Sequence, residues 1–298
     1  RNRINLEIQP ARRGVIFDRF GAPLAVNRRD FRVSIVRENT PDMVATLNRL
    51  SAILPISSAT RERVLEQARR RAKFVPIVVA DDLTWEEFSR LNVHTAELAG
   101  VRDEVGEVRA YPRGDPFAHV IGYVARANER EAGSDRLLQH PDVRIGKSGA
   151  EAFGEEWLRG KGGFRRVVMN ALGRVVEVLP SDDLAAVPGR DMVVSLDADL
   201  QEYAAKRLGE EAGSAVVMDV KTGQILTMVS TPGYDPNLFV NGISQTAYNT
   251  LLENERRPLF HKAYDGFYPP GSTFKMVVAT AALESGLVDG AQRVNCIG

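Results

Sequence analysis

The sequence contains one cysteine, no long apolar run and no excess of charge of either sign. A single cysteine, Cys296, cannot form an internal disulfide, so we expect an inert thiol there. The longest apolar run, 276–283, falls well short of the ~18–20 residues that span a bilayer. Basic and acidic residues number 39 each, so bulk electrostatics give no reason to expect a nucleic-acid partner.

Cofactor and metal patterns are also lacking. The glycine-rich segments 146–149 and 160–163 do not have the spacing of a phosphate-binding loop, and we interpret both as turns. The histidines lack the spacing of zinc ligands and are interpreted as packing or surface residues; they are His94, His119, His140 and His261. The sequence therefore predicts neither a cofactor nor a metal ion.

The 298 residues are enough for two domains, and their 44% apolar and 26% charged content is typical of globular proteins. A polar, proline-bearing stretch at 180–190 is the predicted boundary, which gives domains over 1–188 and 189–298. Helices combined with antiparallel strands predict an α+β fold.

Local patterns predict the individual elements. Thr84 and Glu87 form a capping box for a helix whose predicted buried face is Trp85, Phe88 and Leu91. Further helices are predicted at 42–54, 59–72, from 197 to a stop at Gly213, 245–252 and 272–284. Strands are predicted at 31–35, 74–79, 107–111, 119–124, 164–169, 174–179 (after a turn at 170–173), 192–196, 215–220 and 224–229.

Ser272 and Lys275 are the candidate catalytic residues. A serine hydroxyl becomes an effective nucleophile when a nearby base takes its proton. Positions i and i+3 share a helix face, so a neutral Lys275 is placed to act as that base. Backbone N–H groups at a helix start can hold an oxyanion, which favours acyl transfer. On spacing alone, however, an N-capping serine and a solvated lysine is the favoured interpretation.

Several segments together resemble the class B high-molecular-weight penicillin-binding proteins. Segment 268–275, Tyr-Pro-Pro-Gly-Ser-Thr-Phe-Lys, is similar to the nucleophile motif of that family. Segment 13–27 resembles the opening of its pedestal domain, and 146–151 and 170–174 match later pedestal segments. Segment 230–239 resembles the loop before the catalytic helix in the elongation-specific group, penicillin-binding protein 2.

This resemblance implies an extended β-rich pedestal with a helical head lobe, followed by the N-terminal part of a penicillin-binding/serine β-lactamase-like transpeptidase domain. It implies a peptidoglycan D,D-transpeptidase of cell-wall elongation, acylated at Ser272 by D-Ala-D-Ala stem peptides or β-lactams, with Lys275 beside it. The implied partners are a SEDS-type glycosyltransferase and a shape-determining scaffold protein. The implied location is the periplasmic side of the cytoplasmic membrane, with an N-terminal anchor absent from this chain.

The sequence departs from the family pattern in one respect. The family's Ser-x-Asn and Lys-Thr/Ser-Gly elements follow the nucleophile, and neither occurs after Ser272 here. Lys221-Thr222-Gly223 precedes the serine, and its position between two β-runs predicts an ordinary hairpin turn. We therefore expect this chain alone to be inactive as a transpeptidase.

Two alternatives stay open. A serine β-lactamase or penicillin-sensing domain shares the Ser-x-x-Lys helix, although it gives no reason for the long pedestal. A non-catalytic pedestal module that binds partners of the elongation machinery is the second alternative. Turnover of a β-lactam distinguishes the first, and partner binding without residues 272–298 distinguishes the second.

Overall fold

A computed structural model describes residues 3–70, 73, 76–133, 135, 137–138, 140, 142–169, 175–293 and 295. The chain divides into two compact units, residues 1–263 and 264–298, which are described separately. Within the described ranges, no helix is long and apolar enough to cross a membrane. The predictions for Cys296 and for the turn at 170–173 fall outside the described residues.

Helices and mainly antiparallel strands are mixed along the chain, which confirms the predicted α+β fold class. The strands are β1 (Arg3–Gln9), β2 (Ile16–Phe17), β3 (Pro23–Val36), β4 (Pro76–Ala80), β5 (Val101–Ala110), β6 (Val124–Ala125), β7 (Ile145–Gly146), β8 (Gly163–Met169), β9 (Val175–Leu184), β10 (Met192–Val193), β11 (Gly213–Met218) and β12 (Ile225–Thr231). The helices are α1 (Met43–Ile53), α2 (Ser58–Arg70), α3 (Trp85–His94), α4 (Ala118–Ile121), α5 (Glu129–Ala132), α6 (Gly149–Phe153), α7 (Glu155–Leu158), α8 (Ala198–Leu208), α9 (Asn237–Val240), α10 (Gln245–Glu253) and α11 (Phe274–Glu284).

The long strand β3 organises the first unit. It pairs antiparallel with β5 from Val26↔Ala110 to Ile35↔Val101, and it also pairs with β2 and β4. Strand β10 continues this sheet by pairing in parallel with β2. Separate antiparallel sheets are formed by β1-β8-β9, by β11-β12 and by β6-β7. One strand thus connects two hydrophobic cores.

The first core is a helical lobe in which α1, α2 and α3 cover β3 and β4. Its buried side chains include Ile35, Leu47, Leu50, Val64, Ile77 and Leu91. The capping box is confirmed, since Thr84 N–H donates to Glu87 Oε2 at 2.9 Å and Glu87 N–H donates to Thr84 Oγ1 at 3.2 Å. The predicted burial of Trp85 is wrong: the residue is 62% exposed, and its ring packs at a tilt against Phe31 at the lobe surface.

The second core draws on residues from both sides of the predicted boundary at 188/189. Ile16, Leu24 and Val108 come from one side, and Leu196 and Val240 come from the other. Because both stretches contribute to one apolar cluster, the sheet around β2 is held directly against the start of α8 and against α9. The boundary itself stays a prediction.

Three predicted elements differ in the structure. Of the strand predicted at 119–124, residues 119–121 lie in the helical turn α4 and only Val124 lies in a strand, β6, because Phe117, Ala118 and Ile121 bury one face at helical spacing before Gly122 adopts a φ of 75°. The strand predicted at 192–196 is limited to Met192–Val193. Helix α8 ends at Leu208 with Gly209 as its cap, and Gly213 instead begins β11. The helix therefore ends at Gly209, before the predicted stop at Gly213.

Candidate active site

Ser272 lies at the entrance of the final helix, within a single 3₁₀ turn over Gly271–Thr273 that runs directly into α11. Thr273 N–H donates to Pro270 O at 3.2 Å, and Phe274 N–H donates to the carbonyls of Gly271 and Ser272. The Ser272 side chain is exposed and makes no hydrogen bond to the residues that the structure describes. The hydroxyl is therefore open to a reactant and does not cap the helix, in contrast to the interpretation based on spacing alone.

Gly271 sets the direction of this turn. Its φ of 53° lies in the left-handed region, where a side chain collides with the backbone, and no other atom crowds the position. Pro270 precedes it with a φ of −70°, which its ring fixes. The order Pro-Gly-Ser thus places a serine where the chain turns sharply into a helix.

Lys275 is in the first turn of α11, three residues beyond Ser272, as the motif predicts. This spacing places the two residues on one face of the helical segment. Lys275 is exposed and has no ion pair within the described ranges. The enclosed pocket that a lysine base requires is not formed by the described residues of the second unit.

Helix α11 itself is apolar on all sides. Its side chains are more than half exposed at Phe274, Met276, Val277, Val278 and Leu283. A helix with apolar residues around its whole circumference belongs in the interior of a domain. The exposed surface of α11 is therefore of the kind that other elements cover.

Lys221-Thr222-Gly223 forms the turn of the β11–β12 hairpin, as predicted. Asp219 Oδ1 accepts hydrogen bonds from Lys221 N–H at 2.8 Å and Thr222 N–H at 3.0 Å, and Gly223 has a φ of 73°. The Asp219 carboxylate therefore stabilises the turn, and the N–H groups of Thr222 and Lys221 lower its pKa.

A buried ionic network joins two segments whose meeting the sequence did not reveal. Glu151 is fully buried and accepts from Arg13 Nε at 2.7 Å, Arg109 Nε at 2.6 Å and the Tyr111 hydroxyl at 3.2 Å. Burial, followed by the charge of Glu151, raises the pKa of Tyr111 well above its ordinary value. Arg13 and Glu151 belong to two of the three segments that resemble pedestal motifs, and they are 138 positions apart in the sequence.

Asp18 connects the turn after β2 to helix α8. Its Oδ1 accepts from Phe20 N–H and Ala22 N–H at 2.8 and 2.7 Å, and its Oδ2 accepts from Ala198 N–H at 3.1 Å. Burial alone raises the pKa of Asp18, but the three N–H donors outweigh it, so the pKa is lowered. The ionised carboxylate holds α8 against the first sheet.

Two histidines meet in the first unit. The rings of His119 and His261 lie 5.1 Å apart, and burial, followed by the charge of His261, lowers the pKa of His119 to about 4. Tyr234 stacks edge-on against His119 at 5.2 Å. The described part of the chain contains no group of three or more metal-ligating side chains.

Comparison with known proteins matches most of the chain to two family descriptions. Residues 8–194 match the penicillin-binding protein dimerisation domain, and residues 213–298 match the penicillin-binding protein transpeptidase domain. Ser272 and Lys275 thus lie within the second matched region.

Curated relatives are similar along almost the whole chain. The peptidoglycan D,D-transpeptidase MrdA of Escherichia coli is 35% identical over 292 residues, which are 96% of this chain and 46% of that protein. The protein of the same name from Haemophilus influenzae is 37% identical over 94% of this chain and 44% of its own length. This chain therefore spans a little under half the length of these relatives.

A solved structure supports the same relationship. The complex between penicillin-binding protein 2 and MreC from Helicobacter pylori contains a chain that superposes with a TM-score of 0.81 at 27% identity. The match covers 98% of this chain and 54% of that one. Sequence similarity and structural similarity thus both relate this chain to the penicillin-binding proteins.

Proposed function

Since this chain belongs to the penicillin-binding proteins, we propose that it is the N-terminal part of a peptidoglycan D,D-transpeptidase of cell-wall elongation, with Ser272 as nucleophile. The observation that carries this proposal is an exposed serine hydroxyl at the entrance of an apolar helix, with Lys275 three residues further on. The relatives named as D,D-transpeptidases support the reaction.

The proposed chemistry has two steps. Ser272 Oγ attacks the carbonyl carbon of the D-Ala-D-Ala peptide bond while the neutral Lys275 amine accepts the hydroxyl proton. The C–N bond then breaks, and the terminal D-Ala leaves with a proton on its amine, which leaves an ester on Ser272. An amine from a neighbouring strand attacks that ester, forms the cross-linking amide and regenerates the serine. A β-lactam ring opens at the same oxygen and forms the same kind of ester.

The reaction needs surroundings that this stretch of chain does not provide. Ser-x-Asn and Lys-Thr/Ser-Gly elements do not follow Ser272 here, and the side chains of α11 are exposed. We propose that in the longer protein other elements of the transpeptidase domain enclose α11 and bury Lys275. The location proposed for that protein is the periplasmic side of the cytoplasmic membrane, with an N-terminal anchor.

Binding of a shape-determining scaffold protein by the region over 8–194 is the second function that an observation favours. The superposed Helicobacter pylori protein was solved in complex with MreC, and the match covers nearly all of this chain. A SEDS-type glycosyltransferase is the further partner that we propose. In a serine β-lactamase or a penicillin sensor, the matched region at 8–194 would have no role.

Acylation by a fluorescent penicillin tests the proposal. The longer protein should be labelled, and Ser272→Ala should abolish the label, while Lys275→Ala should slow acylation at least 100-fold because general-base assistance is worth about that factor. Ser285→Ala and Lys221→Ala are matched controls at exposed positions and should label normally. Labelling that persists in Ser272→Ala would refute the assignment, and rapid release of the opened β-lactam would favour a β-lactamase.

A further inference from the structure

A cavity of about 540 Å³ in the first unit is lined by far more arginines than carboxylates. The arginines are Arg12, Arg13, Arg29, Arg109, Arg144 and Arg159, and the lining carboxylates are Glu107 and Asp142. The arginines come from distant parts of the chain, so the fold collects them around one space. Such a concentration of positive charge attracts anions.

The carboxylates near the cavity only partly compensate these arginines. Glu151 is shared between Arg13 and Arg109. Glu155 is likewise shared, with Oε2 2.8 Å from Arg13 Nη1 and Oε1 3.6 Å from Arg159 Nε. Two carboxylates, Glu151 and Glu155, are therefore the ion-pair partners of three guanidinium groups.

The two carboxylates of the lining are also shared with other groups or exposed to solvent. Asp142 accepts a hydrogen bond at 2.7 Å from Arg32 Nη2, and Arg32 does not line the cavity. Glu107 lies 3.8 Å from Arg12, where both side chains are more than half exposed. Arg29 has no ion pair among the residues that the structure describes. The walls of the cavity thus retain net positive charge.

Two of these guanidinium groups are partly or fully withdrawn from water. The Arg144 pKa is lowered to about 10, first by burial and next by the charge of Arg126, while Asp142 and Asp81 oppose the shift. Arg109 Nη2 is buried without a hydrogen-bond partner in the described part of the chain, although its side chain is only 2% exposed. This nitrogen is closed to solvent, so it acts on the cavity through its charge.

The rest of the lining suits an organic group. Apolar side chains form part of the wall: Pro10, Val105, Val124, Leu137 and Val143. The volume falls within the ~300–1,000 Å³ of small-molecule sites. Guanidinium groups bind both carboxylates and phosphates through paired N–H donors, and a phosphate presents its oxygens in several directions to groups that approach from different segments.

We propose that this cavity is a binding site for a phosphorylated organic molecule, with the phosphate among the arginines and the organic part against the apolar wall. All of its lining residues belong to the first unit, and the proposal does not depend on the acyl-transfer function. The same phosphate chemistry is found in soluble phosphate esters and in lipid headgroups.

Calorimetric titration of the whole chain with phenyl phosphate, and with benzoate as a carboxylate of the same ring, tests the proposal. We expect phenyl phosphate to bind at least tenfold more tightly at low salt. Arg29→Gln combined with Arg159→Gln should raise its Kd at least tenfold while the unfolding midpoint stays unchanged. Arg69→Gln combined with Arg70→Gln, on α2 and outside the cavity lining, is the matched control and should leave the Kd unchanged.

Vesicle sedimentation separates the two sources of the ligand. Binding to phosphatidic acid vesicles and not to phosphatidylcholine vesicles, lost in the Arg29/Arg159 variant, would identify a lipid headgroup. Phenyl phosphate binding without vesicle binding would identify a soluble ester. Equal affinity for benzoate and phenyl phosphate, no binding of either, or equal loss in the α2 control would overturn the proposal. Ser272→Ala should bind phenyl phosphate with the same Kd as the unaltered chain, whatever the outcome of the acylation test.

Discussion

Glu151 accepts hydrogen bonds from Arg13 and, at the end of β5, from Arg109 and Tyr111, so two distant segments of the first unit meet at this carboxylate. A carboxylate removed from water is costly unless donors replace its hydration, and here three side chains do so. Replacing it leaves two guanidinium groups with too little negative charge nearby. Glu151 therefore links the segment before β2 to the end of β5, and both segments lie next to the second core.

Glu151→Gln should lower the free energy of unfolding by about 3 kcal/mol, because the neutral amide leaves buried positive charge unpaired. Urea denaturation followed by circular dichroism measures the change. Glu156→Gln, at an exposed position on the next helix, should change it by less than about 0.5 kcal/mol. Equal effects of the two substitutions would show that the buried network does not stabilise the fold.

At the scale of elements, the structures that the sequence predicts well are those determined by neighbouring residues. The capping box at Thr84, the helix that starts at 197 and the hairpin turn at 221–223 each depend on a side chain, that of Thr84, Asp197 or Asp219, that bonds to backbone three or fewer residues away. The predictions of a buried Trp85 and of a strand over residues 119–121 are wrong. Both depend on packing against distant residues, which a local pattern does not contain.

The turn into α11 depends on Gly271, whose φ of 53° costs another residue about 1–2 kcal/mol. Gly271→Ala should therefore redirect Ser272 and reduce its rate of acylation by a fluorescent penicillin about tenfold in the longer protein. The folding of the first unit, followed by circular dichroism, should stay unchanged.

Gly290→Ala is the matched control for this substitution, since Gly290 lies in the same unit, has open space around it and does not have a positive φ. Normal acylation is expected in this variant. If Gly271→Ala is also acylated at the normal rate, the left-handed turn is not what positions the nucleophile.

At the scale of the whole molecule, the sequence predicted the candidate nucleophile but not its setting. Ser272 and Lys275 are three residues apart, so their placement on one helical face follows from helix geometry alone. The Glu151 network and the arginine-lined cavity bring together residues more than 100 positions apart. Contacts of that kind follow from the topology around β3, which no local pattern specifies.

The exposed apolar surface of α11 makes a prediction about this chain as a whole. Met276, Val277 and Val278 are each more than half exposed, and contiguous apolar surface drives association in water. Val278→Glu should therefore reduce concentration-dependent self-association of the chain, measured by sedimentation velocity. Val220→Glu, at an exposed valine between two charged residues in the hairpin turn, should leave association unchanged. Association that persists in Val278→Glu would mean that a surface other than α11 causes it.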